Sequence, residues 1–213
     1  MTKSILLDSE RIKTDQSDDS IFYSSPRFVH HLDDNFRNRL TSLYTSNINH
    51  NSVVLDLMSS WVSHLPNKIT YSRVIGHGMN LEELKSNKSL DSYWVQNLNN
   101  NQILPLDDRS IDVGLIVAGW QYLQYPEKVA QELRRVIKVN GKLIISFSNR
   151  AFWNKAPMIW SQNDYKGHIS YIKNILSSSY FNDYQVIIEN NNVKKLFGIL
   201  ETPADPFYSI IAK

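Results

Sequence analysis

Asp56 closes a short apolar run, Val53, Val54 and Leu55, and is followed by Leu57, Met58, Ser59 and Ser60 before the chain reaches Pro66. Such a run reads as a strand buried on both faces. A carboxylate at its C-terminal end, with a turn into a short helix behind it, suits the ammonium group or hydroxyls of a ligand. The backbone N–H groups of that turn and the positive end of the helix dipole suit an anion. Three more polar connections follow at steps of roughly twenty residues: Gly78, Met79 and Asn80; Asn97, Leu98 and Asn99; Gly119, Trp120 and Tyr122. This is the spacing of loops leaving the carboxyl ends of successive strands, where a nucleotide-like ligand lies across an open sheet. Asp and Ser also make ordinary turns and caps, so the recurrence of four loops argues for a binding site more strongly than the first loop alone.

The elements that must hold these loops are legible as alternating patterns. After the first strand, residues 69–76 read as a second strand, with Leu81, Leu84 and Leu90 on a following helix. Residues 93–95 read as a third strand and residues 111–118 as a fourth. Val129, Leu133, Val136 and Ile137 mark a helix closed by Asn140 and Gly141 as a C-cap, and residues 142–147 form a fifth strand. A long helical region over 158–176 precedes two apolar pieces, 184–188 and 207–212, that pair as an antiparallel hairpin at the sheet edge. Upstream, Phe28, Leu32, Phe36, Leu40 and Leu43 describe an amphipathic helix with Pro26 near its start. The alternation implies right-handed crossovers and an α/β fold, doubly wound around a mainly parallel sheet with helices on both faces.

Composition bounds the rest. The chain has 213 residues, enough for one domain to bury a core unaided. Residues 1–20 are polar and patternless and read as a flexible tail, leaving 21–213 as the single domain. No cysteine is present, which excludes disulfides and thiolate chemistry. The net charge of +2 gives no nucleic-acid footprint. No leader-like segment or membrane span is evident, so the expectation is a cytoplasmic protein acting on a small molecule, without a metal.

Four stretches carry a family resemblance: VLDL at the first strand, RVIGHGMNLEEL at the second, LPLDDRSIDVGLIVAGWQYL around the fourth, and ELRRVIKVNGKLIISF leading into the fifth. On these the chain resembles the class I S-adenosylmethionine-dependent methyltransferases over residues 23–213, most strongly over 53–149. The resemblance implies a Rossmann-like methyltransferase fold with a seven-stranded sheet ending in a reversed hairpin, and S-adenosylmethionine as cofactor with S-adenosylhomocysteine as product. It assigns cofactor binding to Asp56, Leu57, Met58, Ser59, Ser60, Gly78, Met79, Asn80, Asn97, Leu98, Asn99, Gly119 and Trp120. The departures are specific. The family's first loop is glycine-rich, whereas none of the seven glycines here lies between Asp56 and Pro66. The acid that usually holds the ribose is replaced by Gly78, leaving Asn80 or backbone groups for that task, and the acid near the adenine is replaced by Asn97.

Methyl transfer from a sulfonium depends chiefly on alignment, and a base is needed only when the acceptor must lose a proton. His30, His31, His64 and Tyr122 are the candidate bases, with His31 and Tyr122 taken as catalytic. Tyr23 and Arg27 are placed over the methionine end of the cofactor, and Trp153 against the acceptor. The alternative from another class is a non-catalytic methyltransferase-like binding or regulatory module. A dehydrogenase is disfavoured by the lack of a G-x-G-x-x-G motif after the first strand.

Overall fold

The computed structural model describes residues 5–190, 195–196, 199–200 and 204–213. Five parallel strands form most of one sheet: β1 (Val53–Asp56), β2 (Arg73–Gly78), β3 (Ser92–Val95), β4 (Ile111–Val117) and β5 (Ile137–Phe147). β6 (Tyr184–Glu189) follows; β7 (Lys195–Leu196) and β8 (Ile199–Leu200) pair with each other; β9 (Phe207–Ala212) runs antiparallel to both β5 and β6. The seven-stranded order is β3-β2-β1-β4-β5-β9-β6. The expected reversed hairpin at the sheet edge is therefore present.

Successive side chains on each strand point to opposite faces, and each face has its own cover. Val54, Val113, Leu115 and Ile144 pack with Phe36, Leu40, Leu43 and Tyr44 of α2 (Asp34–Asn47). Leu55, Ile116, Leu143 and Ile145 pack with α4 (Pro126–Val136) and α6 (Tyr165–Ser178), through Val129, Leu133, Ile172 and Ile175. Three shorter helices complete the set: α1 (Asp19–Phe22), α3 (Leu81–Ser86) and α5 (Met158–Ser161).

Several boundaries differ from the sequence expectation. The upstream helix begins at Asp34, because Asp33 caps it by accepting from the Phe36 amide at 2.8 Å. His30 and His31 consequently lie in an irregular segment. The first strand is not followed by a helix: residues 57–72 carry no regular element, and Met58 and His64 take φ values of 59° and 52° that no right-handed helix contains. α4 passes directly into β5, and Gly141 sits inside that strand, where a Cβ would meet the Asp112 carbonyl oxygen at 2.8 Å. The long helical region is two helices, broken after Ser161 and restarted by the Asp164 cap.

Residues 5–20, expected to be a flexible tail, are packed. Leu6, Arg11 and Lys13 are buried. Arg11 pairs with Glu127 at 2.7 Å, and the Met158 amide donates to the Ile12 carbonyl at 2.8 Å. The polar composition that suggested a tail is used instead in a buried ionic cluster. Lys13 lies 2.6 Å from Asp19, while Lys155, only 1% exposed, lies 3.0 Å from Asp15 and 3.6 Å from Asp19. Removing one partner of such a cluster leaves an uncompensated buried charge. Lys155→Ala is expected to lower the unfolding free energy by about 3 kcal/mol, read as a shifted midpoint in urea. An unchanged midpoint would mean that residues 13–19 contribute nothing to the folded state.

Candidate functional site

A cavity of about 770 Å3 opens at the C-terminal ends of β1, β2, β3 and β4. β1 lies between β2 and β4, and the chain leaves it first towards one sheet edge and then towards the other, so the cavity occupies the topological switch point. All four loops singled out from the sequence contribute to its walls, together with a cap formed by Asp19, Tyr23, Arg27, His31 and Leu32.

The first loop shows how a glycine-free turn is accommodated. Met58, in its left-handed conformation, directs its amide to His77 Nδ1 at 3.1 Å, and the Ser59 amide donates to the His77 carbonyl at 2.6 Å. Burial holds the His77 imidazole down at about 4, so it is neutral; with Nδ1 accepting, its proton is on Nε2 and faces the Gln96 carbonyl at 3.0 Å. The glycines stand opposite the loop instead. A Cβ on Gly119 would meet Met58 Cβ at 2.8 Å, and one on Gly78 would meet the Ser59 carbonyl oxygen at 2.6 Å. Gly78 thus replaces an acid for a steric reason, because the first loop crosses directly over it. The expected helix dipole is not found, because no helix follows, and of the first-loop amides those of Met58 and Ser59 are consumed by β2.

Met58, Ser59 and Ser60 line the cavity, whereas Asp56 and Leu57 do not. Asp56, 4% exposed, turns away and accepts from Ser59 Oγ at 2.6 Å, with the Ser63 hydroxyl as a second donor. Burial pushes its carboxyl up to about 6 against those two hydrogen bonds. Leu57 is fully buried and its amide pairs with the Leu115 carbonyl at 2.9 Å. Trp120 is likewise core, 1% exposed, on the first residue of a single 3-10 turn that directs it beneath the sheet end. These three assignments, Asp56, Leu57 and Trp120, are corrected: a strand end gives the position of a residue but not the side of the loop on which its side chain lies.

From the second loop, Gly78, Met79 and Asn80 reach the cavity, but the Asn80 amide is fully employed. Its Oδ1 caps α3 by accepting from Glu82 and Glu83, and its Nδ2 donates to the carbonyls of Tyr23 and Ser24. The carboxylate at this wall is Glu83, which sequence reasoning missed. It is 9% exposed, accepts from Ser60 Oγ at 2.5 Å and from the Arg27 amide at 2.7 Å, and lines the cavity. Its signal in the sequence was the Asn80-x-x-Glu83 spacing of a capping motif, which places Glu83 on the first helical turn facing the loops. Asn97, Leu98 and Asn99 also line the cavity; Asn97 Oδ1 accepts from the Asn99 amide at 2.9 Å, and Asn99 joins Asp19, Tyr122 and Gln124.

The far half of the cavity is aromatic. Tyr122, Phe152, Trp153 and His31 line it, with His31 edge-on to Phe152 at 5.4 Å. Loss of water around His31 holds its imidazole below the ordinary histidine value, and it makes no hydrogen bond with any described residue. Tyr122 is held protonated by burial; its hydroxyl accepts from the Phe152 amide at 2.9 Å, which makes it an anchor for the wall rather than a base. His30 and His64 do not reach the cavity, and His30 lies against Trp61 at 4.7 Å. The Arg27 guanidinium rests over Phe22 at 4.4 Å and forms no ion pair among the described residues. Among those residues no group of three or more His, Asp or Glu side chains is placed to hold a metal ion, and no helix is long and apolar enough to cross a membrane.

Comparison with known proteins agrees with this geometry. Residues 58–145 match the family model described as a methyltransferase domain. A chain of the Haloferax volcanii complex between the Trm112 methyltransferase activator and a protein assigned as a methyltransferase is similar at 12% identity and TM-score 0.62, over 84% of this chain and 90% of that one. A SAM-dependent methyltransferase from Archaeoglobus fulgidus is similar at 14% identity and TM-score 0.58, over 83% and 93%. Geranyl diphosphate C-methyltransferase from Streptomyces coelicolor, solved with Mg2+, geranyl diphosphate and S-adenosyl-L-homocysteine, is similar at 11% identity and TM-score 0.54, over 82% and 76%. No curated protein sequence matches. At these identities the structures establish the shared fold. Together with the match of residues 58–145 to a methyltransferase-domain model, they describe a chain with a methyltransferase-like fold.

The contact between loop and glycine gives a direct test. Gly119→Ala is expected to cost about 1–3 kcal/mol through overpacking, and Met58→Gly in the same chain to recover more than half of that, because it removes the opposing Cβ and the left-handed strain together. Independent effects of the two changes in denaturation midpoints would disprove the contact. The Asp56 carboxyl titrates at about 6 in the fold and near 3.9 in the unfolded chain. Ionisation therefore opposes folding, and stability falls as pH rises through that window. Asp56→Asn is expected to gain on wild type between pH 4 and 6.5 by on the order of 2 kcal/mol, measured by urea unfolding across pH.

Proposed function

We propose that this protein transfers a methyl group from S-adenosylmethionine to a small-molecule acceptor that loses a proton from nitrogen or oxygen as it is methylated. The observation that carries the reading is the cavity at the switch point, lined by all four strand-end loops, with a carboxylate and a guanidinium that forms no ion pair among the described residues on one side and a neutral imidazole among aromatic rings on the other. The residues present fit the cofactor. Glu83 keeps lone pairs beyond its two bonds for hydroxyl or ammonium donors, the Arg27 guanidinium suits a carboxylate, and Asn97 with Leu98 offers an amide and an apolar surface to a purine. When bound, S-adenosylmethionine supplies an electrophilic methyl on a sulfonium, and S-adenosylhomocysteine is the product. Phe152, Trp153 and Leu32 exclude water from the acceptor side. His31, neutral and with no hydrogen bond to any described residue, accepts the proton that the acceptor nitrogen or oxygen gives up.

A second reading, a module that binds without turning over, is favoured by the withdrawal of Asp56 and the consumption of the Met58 and Ser59 amides. Calorimetry separates the possibilities. Binding of S-adenosylmethionine and S-adenosylhomocysteine, with none of NAD, is expected; absence of heat from either adenosyl ligand would refute the proposal. With an acceptor identified from a panel of amines and phenols, His31→Gln is expected to lower kcat by about 10² to 10³. The wild-type rate should fall with acid only below the ordinary histidine range, near 6.5. A kcat unchanged by His31→Gln would remove that residue from the chemistry.

A further inference from the structure

Asn87 lies outside every stretch that carries the family resemblance, yet it is 4% exposed and holds the first loop from behind. It is the C-terminal cap of α3, and its Oδ1 accepts from the Ser89 amide at 3.1 Å, which fixes the orientation of its amide. Its Nδ2 faces three acceptors: Ser63 Oγ at 2.8 Å, the Ser60 carbonyl at 2.9 Å and, more distantly, Ser59 Oγ at 3.3 Å. Ser59 Oγ in turn donates to Asp56 at 2.6 Å, and the Ser63 hydroxyl donates to the same carboxylate. The polarity runs one way, from amide to two hydroxyls to one carboxylate, so each hydroxyl uses its proton and a lone pair in the same ring.

Neither Asn87 nor Asp56 lines the cavity, whereas Ser59 and Ser60 do, and so does Glu83, four residues before Asn87. Ser60 is thus held at both ends, by its carbonyl to Asn87 and by its hydroxyl to Glu83 at 2.5 Å. A loop with glycines would settle close to a ligand by backbone freedom. This loop has side chains on every residue and must be fixed by bonds.

We propose that Asn87 is a positioning residue for cofactor binding, setting Ser59, Ser60 and Glu83 at the spacing that holds S-adenosylmethionine through the ring it closes with Ser59, Ser63 and Asp56. The proposal rests on the reading of the cavity given above and goes beyond it in naming what replaces glycine in the first loop. Asn87 touches no ligand, and its effect is on affinity for the adenosyl ligand.

The test uses the full chain and S-adenosylhomocysteine, which needs no acceptor. Asn87→Asp keeps the shape but puts a carboxylate oxygen where the N–H groups stood. Its Kd at pH 7.5 is expected to rise at least thirtyfold, with a circular dichroism spectrum like that of wild type. Ser63→Ala, which spares the bond to the Ser60 carbonyl, is expected to lose no more than about tenfold, by loss of a single hydrogen bond. Between pH 7.5 and 5, Asn87→Asp should regain at least fivefold relative to wild type, because a protonated carboxyl again presents a donor. Asp56, from β1, and Tyr44, from α2, are the titratable groups facing the ring; because a carboxylate at 87 couples to Asp56 in this window, the recovery is read also for Asn87→Asp against its parent in an Asp56→Asn background, where that coupling is absent. Wild type that binds no S-adenosylhomocysteine would overturn the reading of the cavity itself. Wild type that binds while Asn87→Asp binds within threefold, or shows no recovery on acidification, would overturn the role of Asn87 alone.

Discussion

The structure depends on a steric exchange between facing loops. Glycine ordinarily allows a backbone to approach a neighbour or ligand because nothing projects from its Cα. Here the first loop carries Met58, Ser59 and Ser60, and the space they need is vacated by Gly119 on one side and Gly78 on the other. The left-handed Met58 is tolerable because its amide is held by His77, whose neutral ring is fixed in turn by the Gln96 carbonyl. The first loop, the end of β2 and the loop after β4 are thus one packed unit. The absence of an acid at Gly78 and the absence of glycine in the first loop have a single cause.

That exchange decides which groups remain for chemistry. With the Met58 and Ser59 amides turned to β2, the first loop meets the cavity chiefly through carbonyls and hydroxyls, and with Asp56 drawn into the serine ring the negative charge at the site moves to Glu83. The cap supplies the balancing cation, Arg27, laid on the Phe22 ring. The charged half of the cavity is therefore assembled between α3 and the cap, while the loop after β4 and the residues following β5 provide the aromatic half.

Much of this was legible in the sequence. The strands were placed within a few residues because buried parallel strands are written as continuous Val, Leu and Ile runs, and the four loops fell at the cavity because strand ends converge there. What escaped was orientation. Nothing in the spacing of Asp56 shows that two serines within the next seven residues would draw its carboxylate inward. Glu83 and Asn87 were not among the residues singled out, since their contacts are with a loop more than twenty residues earlier. Residues 5–20 were misjudged because their charges find partners only once the chain has folded, Lys13 with Asp19, Asp15 and Asp19 with Lys155, and Arg11 with Glu127. The Asn140-Gly141 pair mimicked a helix cap while serving a strand in which a Cβ at 141 would strike a neighbouring backbone oxygen.

The cap that closes the cavity is tethered on both flanks. At one flank Lys13 and Lys155 grip Asp19; at the other, the carboxylates of Asp33 and Asp205 each accept the other's backbone amide, at 2.6 and 2.9 Å. Tyr23, Arg27 and His31 lie between these anchors. That span is fastened along its length as well, by Asn80 at the Tyr23 and Ser24 carbonyls and by Glu83 at the Arg27 amide, as a strap is stitched between two rivets. The dwell time of a bound molecule then follows the stiffness of that span rather than the strength of either fastening.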